Sequence, residues 1–143
     1  MASFVKFNTF VEALSEKAHN LGADTLKCAL TDTLPTAASD SGFLPGSSHP
    51  PPAAVNGYTT GGNSVTVSSS AQTSGTYKLV LADTSFSASG GSLGPFRYAV
   101  LYNDTAASDE LIGYWDYGSS VTLADGETFT VDFDASAGVL TLA

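Results

Sequence analysis

The most constraining feature of the sequence is a stretch dense in aromatic and β-branched residues, which runs from Gly90 to Tyr117. Such side chains favour the pleated, half-buried surface of a β-sheet, and each large ring buries about 150–250 Å². We predict two long strands here, Phe96–Tyr102 and Leu111–Tyr117. The residues between them, 103–110, are acidic and favour turns, so they should join the strands as a hairpin loop. We expect the hydrophobic core to form around this hairpin.

Apolar residues near the N-terminus follow alternate spacings of three and four, which is typical of one face of an α-helix. A helix over about residues 3–21 is therefore predicted, with Ser3 as its N-cap and Gly22 just past its end. The apolar stripe packs against the sheet or docks on another subunit. We prefer the first, because a helix of this length depends on tertiary packing. The stripe consists of Phe4, Phe7, Val11, Leu14, Ala18 and Leu21.

Short runs with a period of two predict further strands along the chain. Residues 24–31 place Leu26, Cys28 and Leu30 on one face, and Asp125-Gly126 stands between two alternating runs as a hairpin signal. Together the runs predict a mainly β fold. We expect an antiparallel β-sandwich or jelly-roll-like barrel of about eight strands with one N-terminal amphipathic helix.

Residues 34–56 differ in character, since they hold five of the six prolines and show no periodicity. We expect a proline-rich arm that wraps over its own sheet or reaches a neighbour, because consecutive prolines favour an extended conformation. Phe43 and Leu44 are its expected anchors. The whole chain, 1–143, is predicted to be a single domain in which residues 57–143 and the strand 24–31 make up the β core.

The charge balance argues against two classes of partner. The chain carries a formal net charge of −9, and its five basic residues are scattered. Nucleic-acid binding needs clustered lysine and arginine, and an anionic membrane would repel this chain, so neither partner is expected. The single cysteine, Cys28, excludes an intrachain disulfide and is expected to be a small buried apolar residue. Without a secretion signal in the sequence, we expect folding in a cytoplasm.

The sequence contains no convincing catalytic constellation. Two histidines, His19 and His49, occur without a Gly-x-Ser-x-Gly motif, a zinc-ligand spacing or a phosphate-binding loop. We therefore expect no enzyme activity, no cofactor and no metal. A weaker alternative is calcium bound by oxygen ligands, either at the pair Asp132 and Asp134 or in the acidic loop at Asp104, Asp109 and Glu110.

Residues Tyr114, Trp115, Asp116 and Tyr117 offer a different possibility, because aromatic faces beside carboxylates suit carbohydrate. In a strand, Tyr114 and Asp116 face one side, and Trp115 and Tyr117 face the other. One of these pairs is then expected to belong to the core, and burial is the preferred interpretation.

Residues 7–35, FNTFVEALSEKAHNLGADTLKCALTDTLP, and residues 75–143, beginning GTYKLVLADTSF and continuing through ELIGYWDYGSSVTLADGETFTVDFD, resemble small structural proteins encoded in the virion gene clusters of tailed bacteriophages. The resemblance covers most of the chain and is weakest over residues 34–56. It implies a virion component rather than an enzyme, and it carries no catalytic motif.

The resemblance and the composition together favour a capsid decoration, or cement, protein on the outer capsid surface, made in the host cytoplasm. Its expected partners are the major capsid protein and itself, as a homotrimer. The alternatives are a tail, fibre or head–tail junction protein of the virion, and a carbohydrate-binding module used at the host surface. The predicted contact residues are exposed apolar anchors, namely Phe4, Phe7, Phe43 and Leu44.

Overall fold

The computed structural model describes residues 2–42 and 55–143, and β-strands dominate these residues. In chain order the elements are β1 Phe4–Lys6, α1 Thr9–Ser15, β2 Leu26–Thr31, β3 Asn63–Val65, β4 Val67–Thr73, β5 Thr76–Leu81, β6 Thr84–Ser87, β7 Leu93–Asn103, β8 Leu111–Leu123, β9 Thr128–Val131 and β10 Leu140–Leu142. The predicted fold class, mainly antiparallel β with one helix near the N-terminus, is confirmed, although the described residues hold ten strands rather than about eight.

The predicted hairpin lies at the centre of the largest sheet. Strands β7 and β8 pair antiparallel, with Val100 opposite Tyr114 and Leu101 opposite Gly113. They form the middle of a five-stranded sheet with the order β1-β8-β7-β2-β3. Both strands extend beyond the predicted bounds, because the pairing continues through irregular positions as far as Leu93 and Leu123.

Two smaller sheets, β10-β5-β4 and β6-β9, complete the sandwich-like fold. Apolar side chains from all three sheets join in one buried cluster, to which the five-stranded sheet contributes Leu30 and Leu101, the three-stranded sheet Leu79, and the two-stranded sheet Phe86 and Val131. Burial of this apolar surface is the main stabilising contribution to the fold.

The predicted helix over residues 3–21 is wrong in its extent. Residues Phe4–Lys6 form the edge strand β1, and α1 covers only Thr9–Ser15, so neither Ser3 nor Gly22 caps it. The spacing misleads because Phe4 and Phe7 lie on opposite sides of the sheet. Phe4 packs on Trp115 and Phe7 packs on Tyr114, which are neighbours on β8 that point in opposite directions.

The helix ends early through a backbone motif that does not use glycine. Lys17 adopts a positive φ of 70°. The Lys17 N–H donates to the carbonyl of Leu14, and the Ala18 N–H donates to the carbonyl of Ala13. This pair of hydrogen bonds is the Schellman arrangement, which satisfies the last carbonyls of the helix. His19 consequently lies beyond the helix and is buried, rather than near the helix end as its sequence position suggested.

The prediction of a hairpin at Asp125-Gly126 is also wrong. The flanking strands belong to different sheets, since β8 pairs with β7 and β1 whereas β9 pairs with β6. The turn residues instead bond to the end of β6, where Gly126 N–H donates to the Ala88 carbonyl and Ala88 N–H donates to the Glu127 carbonyl. The Asp-Gly turn therefore carries the chain between two sheets of the sandwich.

The described part of the arm is built into the fold. Pro35 is buried, and the carbonyl of Ala37 accepts a hydrogen bond from the Asn8 N–H. The Leu111 N–H donates to the carbonyl of Ser41, at the start of β8. Residues 43–54 lie outside the described residues. Deleting all of 34–56 would therefore remove contacts that hold the helix and β8 in place.

Cys28 confirms its predicted place in the core. It lies in β2, fully buried, with no disulfide partner. Burial disfavours the charged thiolate and raises the pKa of the Cys28 thiol to about 12. A neutral, inaccessible thiol is unreactive.

Candidate functional site

An aromatic groove of about 460 Å³ opens at one side of the sandwich. One wall comes from β1, β7 and β8, and the other from β9 and the segment 132–139 that leads to β10. Its volume is within the range of about 300–1,000 Å³ that is usual for small-molecule sites. We call it the aromatic groove after its rings, Phe4, Trp115, Tyr117, Phe129 and Phe133.

Strand alternation brings the rings of β8 into the groove. Trp115 and Tyr117 are two residues apart on one strand and so point to the same side. The Trp115 ring lies between Phe4, at a centroid distance of 4.9 Å, and Phe133, at 5.2 Å. The Tyr117 ring stands edge-on to Phe129 at 5.4 Å. These contacts fix the rings in the tilted geometries that aromatic pairs prefer.

Tyr114 and Asp116 of β8 point to the opposite side of the sheet from Trp115 and Tyr117, as the alternation of a strand predicts. Tyr114 is buried against Phe7, at 5.5 Å, and Tyr98, at 6.1 Å. The predicted division into a core pair and an exposed pair is only partly right. Asp116 is half-buried at the sheet surface, and on the groove side Trp115 is half-buried whereas Tyr117 is 57% exposed.

Arg97, which lines the β7 side of the aromatic groove, forms a bidentate ion pair with Asp116, which does not line it. The Arg97 Nε donates to Asp116 Oδ1 at 2.7 Å, and an Arg97 terminal nitrogen donates to Oδ2 at 2.9 Å. The Gly118 N–H also donates to Asp116 Oδ1, at 2.7 Å. The Arg97 guanidinium, and after it the Gly118 N–H, lower the pKa of Asp116. The same contact raises the pKa of Arg97, so both groups stay charged.

Two carboxylates lie on the opposite wall. Asp132 is exposed, and Asp134 accepts hydrogen bonds from the N–H groups of Ser136 and Ala137, both at 2.8 Å. These bonds, that from Ala137 first, lower the pKa of Asp134. Asp134 thus stabilises its own turn. In the described part of the chain, no group of three or more histidine, cysteine or acidic side chains is arranged to hold a metal ion.

The acidic loop between β7 and β8 uses its carboxylates for local contacts. Asp104 forms a salt bridge of 3.1 Å with Lys27, and Glu110 accepts a hydrogen bond from the Ser108 N–H. Burial raises the pKa of Asp109, and the neighbouring Asp104 adds to the effect. These contacts order the loop.

The four predicted contact residues fall in different places. Phe4 is partly buried and lines the aromatic groove, whereas Phe7 is fully buried and cannot be an exposed anchor. Phe7 instead joins the core beneath α1. Phe43 and Leu44 lie outside the described residues.

The sequence missed one wall of the groove. Phe129 belongs to a different sheet from Trp115, and Phe133 lies in the segment that follows β9. Nothing in the order of the chain indicates that these rings meet the Trp115 ring. The alternation of Phe129, Val131 and Phe133 was the available signal, since it predicts one apolar face. It does not identify what that face covers.

Among the described residues, no helix has the length and apolar character needed to span a membrane. Comparison with known proteins yields no matching family model, no matching curated protein and no matching solved structure.

Proposed function

We propose that this chain is a structural protein of a tailed-bacteriophage virion and that it decorates the outer surface of the capsid. The proposal rests on the likeness of residues 7–35 and 75–143 to small virion proteins. Its partners would be the major capsid protein and two further copies of the chain. Multivalent docking of a trimer converts weak individual contacts into stable attachment.

One structural observation supports an attachment role: two of the proposed contact regions leave from the same edge of the fold. Phe4 pairs with Trp115 on the outer side of β8. On the same side, Ser41 accepts the hydrogen bond of Leu111, and Gly42 forms a bridge with Glu110. The arm therefore leaves the described structure beside the strand that carries Phe4. Phe4 and Gly42, the last described residue before Phe43, therefore lie on the same outer edge of β8.

The acidic surface suits an outward-facing position. A net charge of −9 on 143 residues disfavours nonspecific aggregation, because like charges repel. Attachment would then depend on localised apolar contacts. Such contacts concentrate binding free energy in a few residues.

The attachment role is tested by adding purified protein back to particles that lack it. We expect a variant with residues 43–54 replaced by a short Gly/Ser linker to bind particles at least about tenfold more weakly, because exposed apolar anchors carry most of an interface's free energy. This deletion spares the contacts of Pro35, Ala37 and Ser41. The double variant Phe43→Ala, Leu44→Ala should reproduce most of the loss. Ser69→Ala, on the exposed strand β4, is the control.

Thermal unfolding of each variant separates lost binding from lost structure. Wild-type particle binding by a folded 43–54 variant would contradict arm docking. Labelled protein found at the tail or at the head–tail junction, rather than over the shell, would favour the alternative virion location.

A further inference from the structure

We propose that the aromatic groove is a binding site for a neutral oligosaccharide. This goes beyond the proposed virion role and does not depend on it, since the groove belongs to the isolated chain. The inference follows from three properties of the groove: its rings, its hydrogen-bonding groups and its balance of charge.

The rings provide the apolar surface that the C–H faces of a sugar need. Tyr117 is 57% exposed, although it is held edge-on by Phe129, so its ring is both accessible and oriented. Trp115 is only half-buried between Phe4 and Phe133. Rings that are already held in place lose little conformational entropy when a ligand binds.

Polar residues also line both walls. Asp132 is exposed on the β9 side, and Arg97 lines the β7 side. The Thr130 hydroxyl, by contrast, pairs with the Ser85 hydroxyl at 2.8 Å on the face of β9 opposite Phe129. A sugar combines the same two features, since its ring has apolar C–H faces and a rim of hydroxyls. Hydroxyls both donate and accept hydrogen bonds. Asp132 supplies acceptors, and Arg97 supplies the N–H donors that Asp116 does not engage.

The charges of the groove disfavour an anionic ligand. An anion entering between the walls meets Asp132 and Asp134, and approaches a molecule with a net charge of −9. Arg97 also lines the groove, but Asp116 holds its guanidinium in a bidentate pair, so Arg97 is not available as an unopposed counter-ion for an anion. A polar molecule without charge avoids this repulsion.

Trp115 makes the proposal directly measurable, because it is the only tryptophan of the chain and lies in the groove. The full-length protein is titrated with maltohexaose, cellohexaose, chitohexaose and mannohexaose while tryptophan emission is recorded. Oligogalacturonate of the same length is the anionic comparison. We expect a saturable change in emission with at least one neutral oligosaccharide, and none with oligogalacturonate.

Variants identify the groove as the site. Tyr117→Ala should weaken binding at least about tenfold through loss of the exposed ring, whereas Tyr117→Phe should retain most of it. Asp132→Ala should weaken binding severalfold by removing an acceptor. Val11→Ala is the control, because Val11 is 50% exposed and does not line the groove. Each variant is accepted only if its thermal unfolding matches that of the wild type.

Three results would overturn the proposal. The first is the absence of an emission change with every neutral oligosaccharide at concentrations up to about 10 mM. Any remaining binding would then have a Kd above about 10 mM, which corresponds to a free energy of binding weaker than about −3 kcal/mol. The second is wild-type affinity in a folded Tyr117→Ala variant. The third is a change of oligomeric state in Tyr117→Ala when the wild-type protein itself binds no sugar, since a second copy would then cover the groove. The first two results do not bear on attachment to particles.

Discussion

Asn103, at the end of β7, is completely buried and forms several side-chain hydrogen bonds. Its Nδ2 donates to Asp24 at 2.7 Å and lies 3.1 Å from His19 Nδ1, and its Oδ1 accepts from the Thr105 N–H at 3.0 Å. This side chain joins the loop after α1 to the loop after β7. With Asn103 donating to Nδ1, the neutral His19 ring carries its proton on Nε2, a buried atom with no hydrogen-bond partner among the described residues.

His19 is thus held neutral by its surroundings. Burial lowers the pKa of His19 below 6.5, and the nearby carboxylates Glu110 and Asp24 oppose that effect without cancelling it. Phe10 covers the ring at a centroid distance of 5.1 Å. Charging His19 would also place a proton on Nδ1 opposite the amide hydrogens of Asn103. Protonation therefore favours the unfolded chain.

From this we predict a pH-dependent stability that depends on His19. As pH falls below 6.5, the unfolded chain takes up a proton that the folded chain resists, so the free energy of unfolding decreases until pH reaches the lowered folded pKa. One such proton gives a slope of at most about 1.4 kcal/mol per pH unit. Urea unfolding of wild type and His19→Gln at several pH values between neutrality and mild acid should show a smaller slope in the variant.

The second histidine supplies the control for this experiment. His49→Gln should keep the wild-type slope. Subtracting the stability curve of each variant from that of the wild type removes the contribution of the carboxylates, which titrate in all three proteins. Equal slopes in wild type and His19→Gln, or a slope lost in His49→Gln instead, would contradict the assignment to His19.

At the scale of the elements, the short strand β1 depends on a close fit with β8. A Cβ added to Gly113 would overlap the Phe4 ring and approach the Val5 carbonyl oxygen within 2.9 Å. Gly113 therefore lets β1 lie against β8 with the Phe4 ring across it. The same contact places Phe4 beside Trp115 at the mouth of the aromatic groove.

A double-mutant cycle tests this fit. Gly113→Ala should destabilise the fold by about 1–3 kcal/mol, the usual cost of overpacking. In a Phe4→Ala background the same substitution should cost clearly less, because the ring that obstructs the new methyl group is gone. Ser119→Ala, on the exposed part of β8, is the control. The free energy of unfolding of each variant is measured by urea unfolding. If Gly113→Ala lowers it equally with and without the Phe4 ring, Gly113 is not needed to make room for that ring.

The elements that sequence predicted well are those whose pattern has one physical explanation. The aromatic density from Phe96 to Tyr117 required a strongly buried β-hairpin, and β7 and β8 form it. The spacing of Phe4 and Phe7 satisfies a helix, but it also fits a strand followed by a turn, where the two rings separate to opposite faces. Pairing of β1 with β8 is a long-range contact that local spacing does not reveal.

The aromatic groove likewise depends on long-range contacts that the sequence does not reveal. The sequence predicts that residues 114–117 could suit carbohydrate, and strand alternation correctly places Tyr114 and Trp115 on opposite sides of the sheet. The wall formed by Phe129 and Phe133 could not be predicted, because it depends on how two sheets pack. The Asp125-Gly126 turn pointed to the wrong partner for β9 for the same reason. Turn chemistry determines local geometry and leaves the choice of sheet to tertiary contacts.

At the scale of the whole molecule, the two candidate surfaces adjoin each other at Phe4, which lies on the outer edge of β8 and also lines the aromatic groove. The outer edge of β8 carries Phe4 and the exit of the arm, and the aromatic groove opens between the sheets beside it. An attached copy could therefore use one edge for the particle. The groove would stay accessible only if attachment through Phe4 leaves Tyr117 exposed to solvent.

The most direct measurement is the copy number of this chain in purified particles, determined by quantitative mass spectrometry against the major capsid subunit. A decoration protein covers a symmetric shell, so we predict a copy number comparable to that of the capsid subunit or a simple large fraction of it. Only a few copies per particle would contradict decoration and place the chain in the tail or at the head–tail junction. Complete absence from particles would contradict a virion role altogether.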